Sequence, residues 1–185
     1  MNFILGARAL LSIGVGILIT FSQSHGAAVG LLALTIFGLG FAVFTAVAAA
    51  TTKDQVASIE SVPITIAALI VGVLALLVLT QNPDAGAGTF ISLITGWGLI
   101  SGAFELFLAR RAGFKKPAGR DFLITSILSL ALGVLFLVAP LDIVSAVGFF
   151  GAYLVVVGVH LGISATTPKT KGKSEKGGNS KKSKS

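Results

Sequence analysis

Three ionisable residues lie inside long apolar stretches of this chain: Arg8 in "FILGARALL", Glu105 in "SGAFELFLARR" and His160 in "VVVGVHLGI". Together they offer a permanent cation, a carboxylate and an imidazole, a set able to form an ion pair or to take up protons. A charge inside a membrane span is costly, so each marks a site whose partner has to be named. Within its own helix Glu105 has Leu108 and Ala109 at i+3 and i+4, so no local base faces it. Arg8 is the natural cross-helix counter-charge, with His160 as a third member of the cluster. Simpler fates compete. Arg8 can snorkel to the headgroups, Glu105 can be protonated and bonded to a nearby serine or carbonyl, and His160 can be a neutral imidazole with one hydrogen bond.

The elements that position these residues follow from hydropathy. Of the 185 residues 54% are apolar and only 11% charged, with a mean hydropathy of +0.95. Soluble domains carry about 25% charged residues. A bilayer core of about 30 Å needs about 20 apolar residues in a helix. Six stretches meet or approach that length: Phe3–Phe21, Ala27–Ala50, Val62–Thr80, Gly86–Ala109, Phe122–Ala139 and Ile143–Ala165. Their continuous apolar character fits helices, since barrel strands would be about ten residues and alternating. The predicted fold is an all-α integral membrane protein of six transmembrane helices. At about 1.5 Å per residue, Arg8, Glu105 and His160 all stand about 7 to 8 Å inside the same boundary.

Charge placement sets the orientation. All 14 basic residues fall on one side of a six-span topology: Arg8, Lys53, the five between helices 4 and 5, and seven lysines in the tail. The opposite loops hold His25, Asp84 and Asp142. The positive-inside rule then places both termini in the cytoplasm.

The chain also repeats. "VGILITF" around Gly16, "VGVLALL" around Gly72 and "LGVLFLV" around Gly133 open odd-numbered helices, and the following helices carry Gly40, Gly102 and Gly158. The unit is a helical hairpin present three times, at about 3–50, 62–109 and 122–165. Glycines at four-residue spacing (Gly26/Gly30, Gly98/Gly102, Gly158/Gly162) support close helix contact without specifying a dimer, so a homo-oligomer stays open. Trp97 is too deep for an interfacial belt and reads as a core residue.

Three tandem hairpins with Gly-Val-Leu openings, proline turns ("QNPD", "VAPLD") and the exit "GWGLISGAFELFLARR" resemble the short-repeat bacterial membrane family that includes the HdeD acid-resistance protein. The resemblance covers about residues 3 to 165; the first turn, "SQSHGA", lacks the proline, and the Lys-rich tail lies outside it. It implies a six-helix inner-membrane protein linked to survival of acid or envelope stress, with no catalytic residues to carry over.

Residues 1–165 are thus predicted to form the membrane domain and 166–185 a disordered cytoplasmic tail. Lys169, Lys171, Lys173, Lys176, Lys181, Lys182 and Lys184 of that tail suit contact with anionic lipid of the inner leaflet, or simply reinforce topology. Nucleic-acid binding is disfavoured, because no aromatic or folded module accompanies them. The chain has no cysteine, no P-loop and no HExxH, and its two histidines stand at opposite ends of the bilayer. No catalytic, metal or cofactor site is therefore expected, and the protein reads as non-enzymatic. The competing readings are a small transporter or proton-linked channel using Arg8, Glu105 and His160, and a scaffold that recruits partners through the tail. An acid-sensing role for the cluster competes with a purely structural one, in which the same ion pair fixes helix register.

Overall fold

The structure is a computed structural model that describes residues 3–51, 55–81 and 86–166; the tail lysines and Asp84 lie outside them. Six helices follow one another: α1 Phe3–Phe21, α2 Ala27–Thr51, α3 Gln55–Gln81, α4 Ala87–Ala112, α5 Pro117–Val138 and α6 Ile143–Thr166. The described residues contain no strand. Five helices are long and apolar enough to cross a membrane, whereas the apolar part described for α1 is the shorter Leu5–Phe21. Large apolar side chains such as Leu10, Ile70, Ile127, Leu137 and Ile163 point outward. Such a surface suits lipid and not water.

Local chemistry explains the boundaries. Gly113, the one described residue with positive φ (90°), ends α4 by donating its N–H to the carbonyls of Ala109 and Arg110. Pro117 then opens α5 at a position where its missing N–H costs nothing. Asp142 starts α6 by accepting the N–H groups of Val144 and Ser145, each at 3.0 Å. The largest departure from the hydropathy reading is at α3. "QVASIES" reads as loop because it is polar, yet it forms the first turns of a helix that continues beyond the apolar span. Pro63 inside that helix forfeits one ladder hydrogen bond without ending it.

The helices close into a ring in chain order, and the contacts around it alternate. α2/α3, α4/α5 and α1/α6 are the close pairs, while α1/α2, α3/α4 and α5/α6 meet more loosely. Close contact therefore joins the end of one sequence repeat to the start of the next. Gly72 stands against Gly38 and Leu39, Gly133 against Gly98 and Leu99, and Gly16 against Gly151 and Val155. These three odd-helix glycines occupy one position of a pseudo-three-fold bundle. At Gly38 and Gly98 a Cβ would stand within 2.9 Å of backbone atoms of the facing helix, so only glycine permits the approach. Gly102 and Gly158 similarly face the backbones of Leu130 and Ile13. The nearest neighbour of Gly40 is the flexible Leu11 side chain, and Gly162 meets Ala9 at 3.8 Å, an ordinary contact. Gly26 precedes α2 and has open space around it.

Candidate functional site

The same pseudo-symmetry defines levels along the bundle. Two residues before Leu39, Leu99 and Val155 stand Phe37, Trp97 and Tyr153, and these meet in the centre. Phe37 packs edge-on to Trp97 at 5.5 Å and to Phe150 at 6.0 Å, and Phe41 packs edge-on to Trp97 at 5.2 Å. Trp97 is thus a core residue, 2% exposed. Its indole N–H lies beside the Tyr153 hydroxyl without completing a hydrogen bond.

Nearer the end where α1, α3 and α5 begin, here the proximal end, a second level holds Arg8, Ile64 and Thr125 from the odd helices. Each precedes its glycine by eight residues. The even helices contribute Thr45, Glu105 and Leu161, each six residues after Leu39, Leu99 or Val155. Four of these six positions hold buried neutral side chains. The other two carry opposite charges, on helices that face each other across the ring.

Arg8 lays its guanidinium over the Phe41 ring, 4.1 Å from the centroid, a cation–π contact. Its Nε–H is buried and has no acceptor. Glu105 is the carboxylate that acts on it electrostatically, yet no carboxylate oxygen of the described residues lies within 4.0 Å of it. Glu105 instead accepts a long hydrogen bond of 3.4 Å from Ser129 on α5. Ser129 shares a 3.0 Å hydrogen bond with the Tyr153 hydroxyl of α6, so three helices are linked by Tyr153, Ser129 and Glu105. Thr125 also stands against the carboxylate, though its hydroxyl donates back to Phe122 at 3.1 Å.

Both charged side chains are partly accessible despite their depth, because they line a cavity of about 470 Å³ at the proximal end. The cavity occupies the loose α3/α4 seam, between α2 (Thr45, Ala48), α3 (Glu60, Ser61) and α4 (Glu105, Arg111). Glu60 and Arg111 form an ion pair across that seam, the one ion pair among the described residues. Arg111 is 54% exposed and Glu60 24%, so the pair sits towards the outside.

Of the three residues the sequence singles out, Arg8 and Glu105 therefore share a cavity without closing an ion pair. His160 does not join them: it does not line the cavity, and its Nε2 is buried with no hydrogen-bond partner. Glu60, Ser129 and Tyr153 escape the sequence reading. The available signal was the repeat itself, because Ser129, like Gly133 four residues on, falls at a fixed place in the odd helices. Among the described residues no group of three or more His, Asp or Glu side chains gathers to hold a metal.

The chain matches no family model, no curated protein and no solved structure.

Proposed function

We propose that this chain is a non-enzymatic, six-span protein of the bacterial cytoplasmic membrane, with both termini in the cytoplasm. In this reading it acts in acid or envelope stress resistance, in the manner of the HdeD-type proteins it resembles, and the Arg8/Glu105 level is its responsive element. The observation that carries the reading is the inner level where opposite charges break the repeat. A carboxylate and a guanidinium stand there across the bundle, held apart, beside a cavity at the proximal end. Burial and a nearby cation act on a carboxyl's protonation in opposite senses. A proton gained there would leave the guanidinium uncompensated, and the Ser129–Tyr153 linkage would carry the change to α5 and α6.

The transporter reading has less support. A path continuing from the cavity would have to pass the Phe37, Phe41, Trp97 and Phe150 rings, which fill the bundle centre.

The test is survival of a deletion strain after acid challenge, complemented by wild type or by Glu105→Gln at matched membrane levels. Glutamine keeps the size of the side chain and an acceptor for Ser129, but cannot titrate. Deletion is expected to sensitise the cells and only wild type to rescue them. Rescue by both would make Glu105 structural, and a deletion without effect would remove the stress role.

A further inference from the structure

The proximal cavity is lined by two opposite charges that do not pair with each other. Among the described residues no carboxylate lies within 4.0 Å of the Arg8 guanidinium, and its Nε–H, closed off from the cavity, has no acceptor. The Glu105 carboxylate has one long bond from Ser129. Buried polar groups normally find partners, and each exception needs an explanation. The cavity they line is too large for one bridging water to fill. At about 470 Å³ it falls in the range of small-molecule sites, about 300–1,000 Å³, whereas one water takes about 30 Å³. Among the described residues the lining charges also balance: Glu60 is already matched by Arg111, which leaves Arg8 and Glu105. A lone anion would be repelled by Glu105, and a lone cation by Arg8.

We infer that this cavity binds a small zwitterion, with its oxyanion on Arg8 and its ammonium on Glu105. Arg8 suits the oxyanion because a guanidinium matches carboxylate and phosphate geometry and tolerates an aromatic stacking partner, here Phe41. The Glu60–Arg111 pair bridges the α3/α4 seam in the cavity lining. Two sources supply this chemistry: a free amino acid from the aqueous side, or the headgroup of an ethanolamine phospholipid reaching in from the leaflet. The site rests on cavity geometry and not on the acid-survival reading.

The test is calorimetric titration of the full chain in non-ionic maltoside micelles. The probes are β-alanine and glycerophosphoethanolamine, with dimethyl phosphate and ethanolamine as single-charge controls. A zwitterionic probe is expected to bind at least about tenfold more tightly than either control, the effect of one further charge-assisted hydrogen bond. Arg8→Gln and Glu105→Gln should each weaken it by about tenfold. Ala48→Phe, which keeps both charges and fills the cavity, should abolish it. Binding of β-alanine alone assigns a free solute. Binding of glycerophosphoethanolamine, with ethanolamine phospholipid retained in native mass spectra of the purified protein, assigns a lipid. The inference is overturned if no zwitterion binds, if a single-charge probe binds equally well, or if Ala48→Phe leaves binding unchanged.

Discussion

Replacing Gly98 with alanine tests what holds α4 against α5. A Cβ at Gly98 would stand 2.7 Å from both Gly133 N and Ser129 O, about 0.7 Å short of where ordinary contacts begin, at 3.4 Å. Both facing atoms are backbone, so neither can rotate away, and the helices must separate. Such overpacking costs about 1–3 kcal/mol. Gly96 provides the control within the same helix, because a Cβ there meets nothing within 4 Å. Both substitutions gain the same intrinsic helix propensity, up to about 1 kcal/mol. The difference between them therefore isolates the clash. Gly96→Ala is expected to be at least as stable as wild type, and Gly98→Ala less stable than Gly96→Ala by about 1–3 kcal/mol. Reversible unfolding in mixed micelles or a steric-trap measurement reads both. Equal stability of the two variants would refute the idea that backbone contact determines how closely α4 and α5 approach.

Other expectations concern the two ends of the bundle. Hydrogen bonds from Ser145 hold the Asp142 carboxyl below the ordinary carboxylate range. Its contribution is therefore complete above the unfolded-state pKa of about 3.9 and is lost as pH falls through the lower folded value. The stability gap between wild type and Asp142→Ala should stay constant from neutral pH to about pH 4 and close below it; a gap that persists in stronger acid would contradict the cap. A double-mutant cycle on Glu60→Ala and Arg111→Ala should give a coupling of about 0.2–1 kcal/mol that shrinks in high salt, as for an exposed pair. A salt-independent coupling would place the pair deeper than described. Because the chain has no cysteine, single-cysteine variants report orientation without background labelling. Ser180→Cys should react only when the cytoplasmic face is accessible and Ser24→Cys only from the opposite face; the reverse pattern would invert the proposed topology.

The helices were legible in the sequence because hydropathy and length together leave few alternatives for stretches such as Ala27–Thr51. The start of α3 was not, because Gln55 to Ser61 are polar and helix formation outside an apolar span leaves no hydropathy mark. Trp97 was readable as a core residue from its depth alone. Partner choice was harder: Gly38, not the more obvious Gly40, meets the α3 backbone, and only helix rotation decides which of two nearby glycines faces a neighbour. The same holds at the site. Arg8 and Glu105 could be placed at one depth by counting residues, but depth says nothing of azimuth. His160, at similar depth, points elsewhere, while Ser129 reaches the carboxylate from α5 and Tyr153 reaches Ser129 from α6.

The close contact of α1 with α6 also has a consequence for how the protein is made. Helices leave the ribosome in order, and α2 and α4 each acquire their tight partner as soon as the next helix follows. For α1 the tight partner is α6, the last of the six to emerge. Gly16 stays without its facing backbone until α6 arrives, so α1 has to wait in the bilayer, held only by its looser contact with α2. The ring therefore closes only when α6 is in place. A chain truncated before α6 would leave α1 with an unoccupied small-residue face.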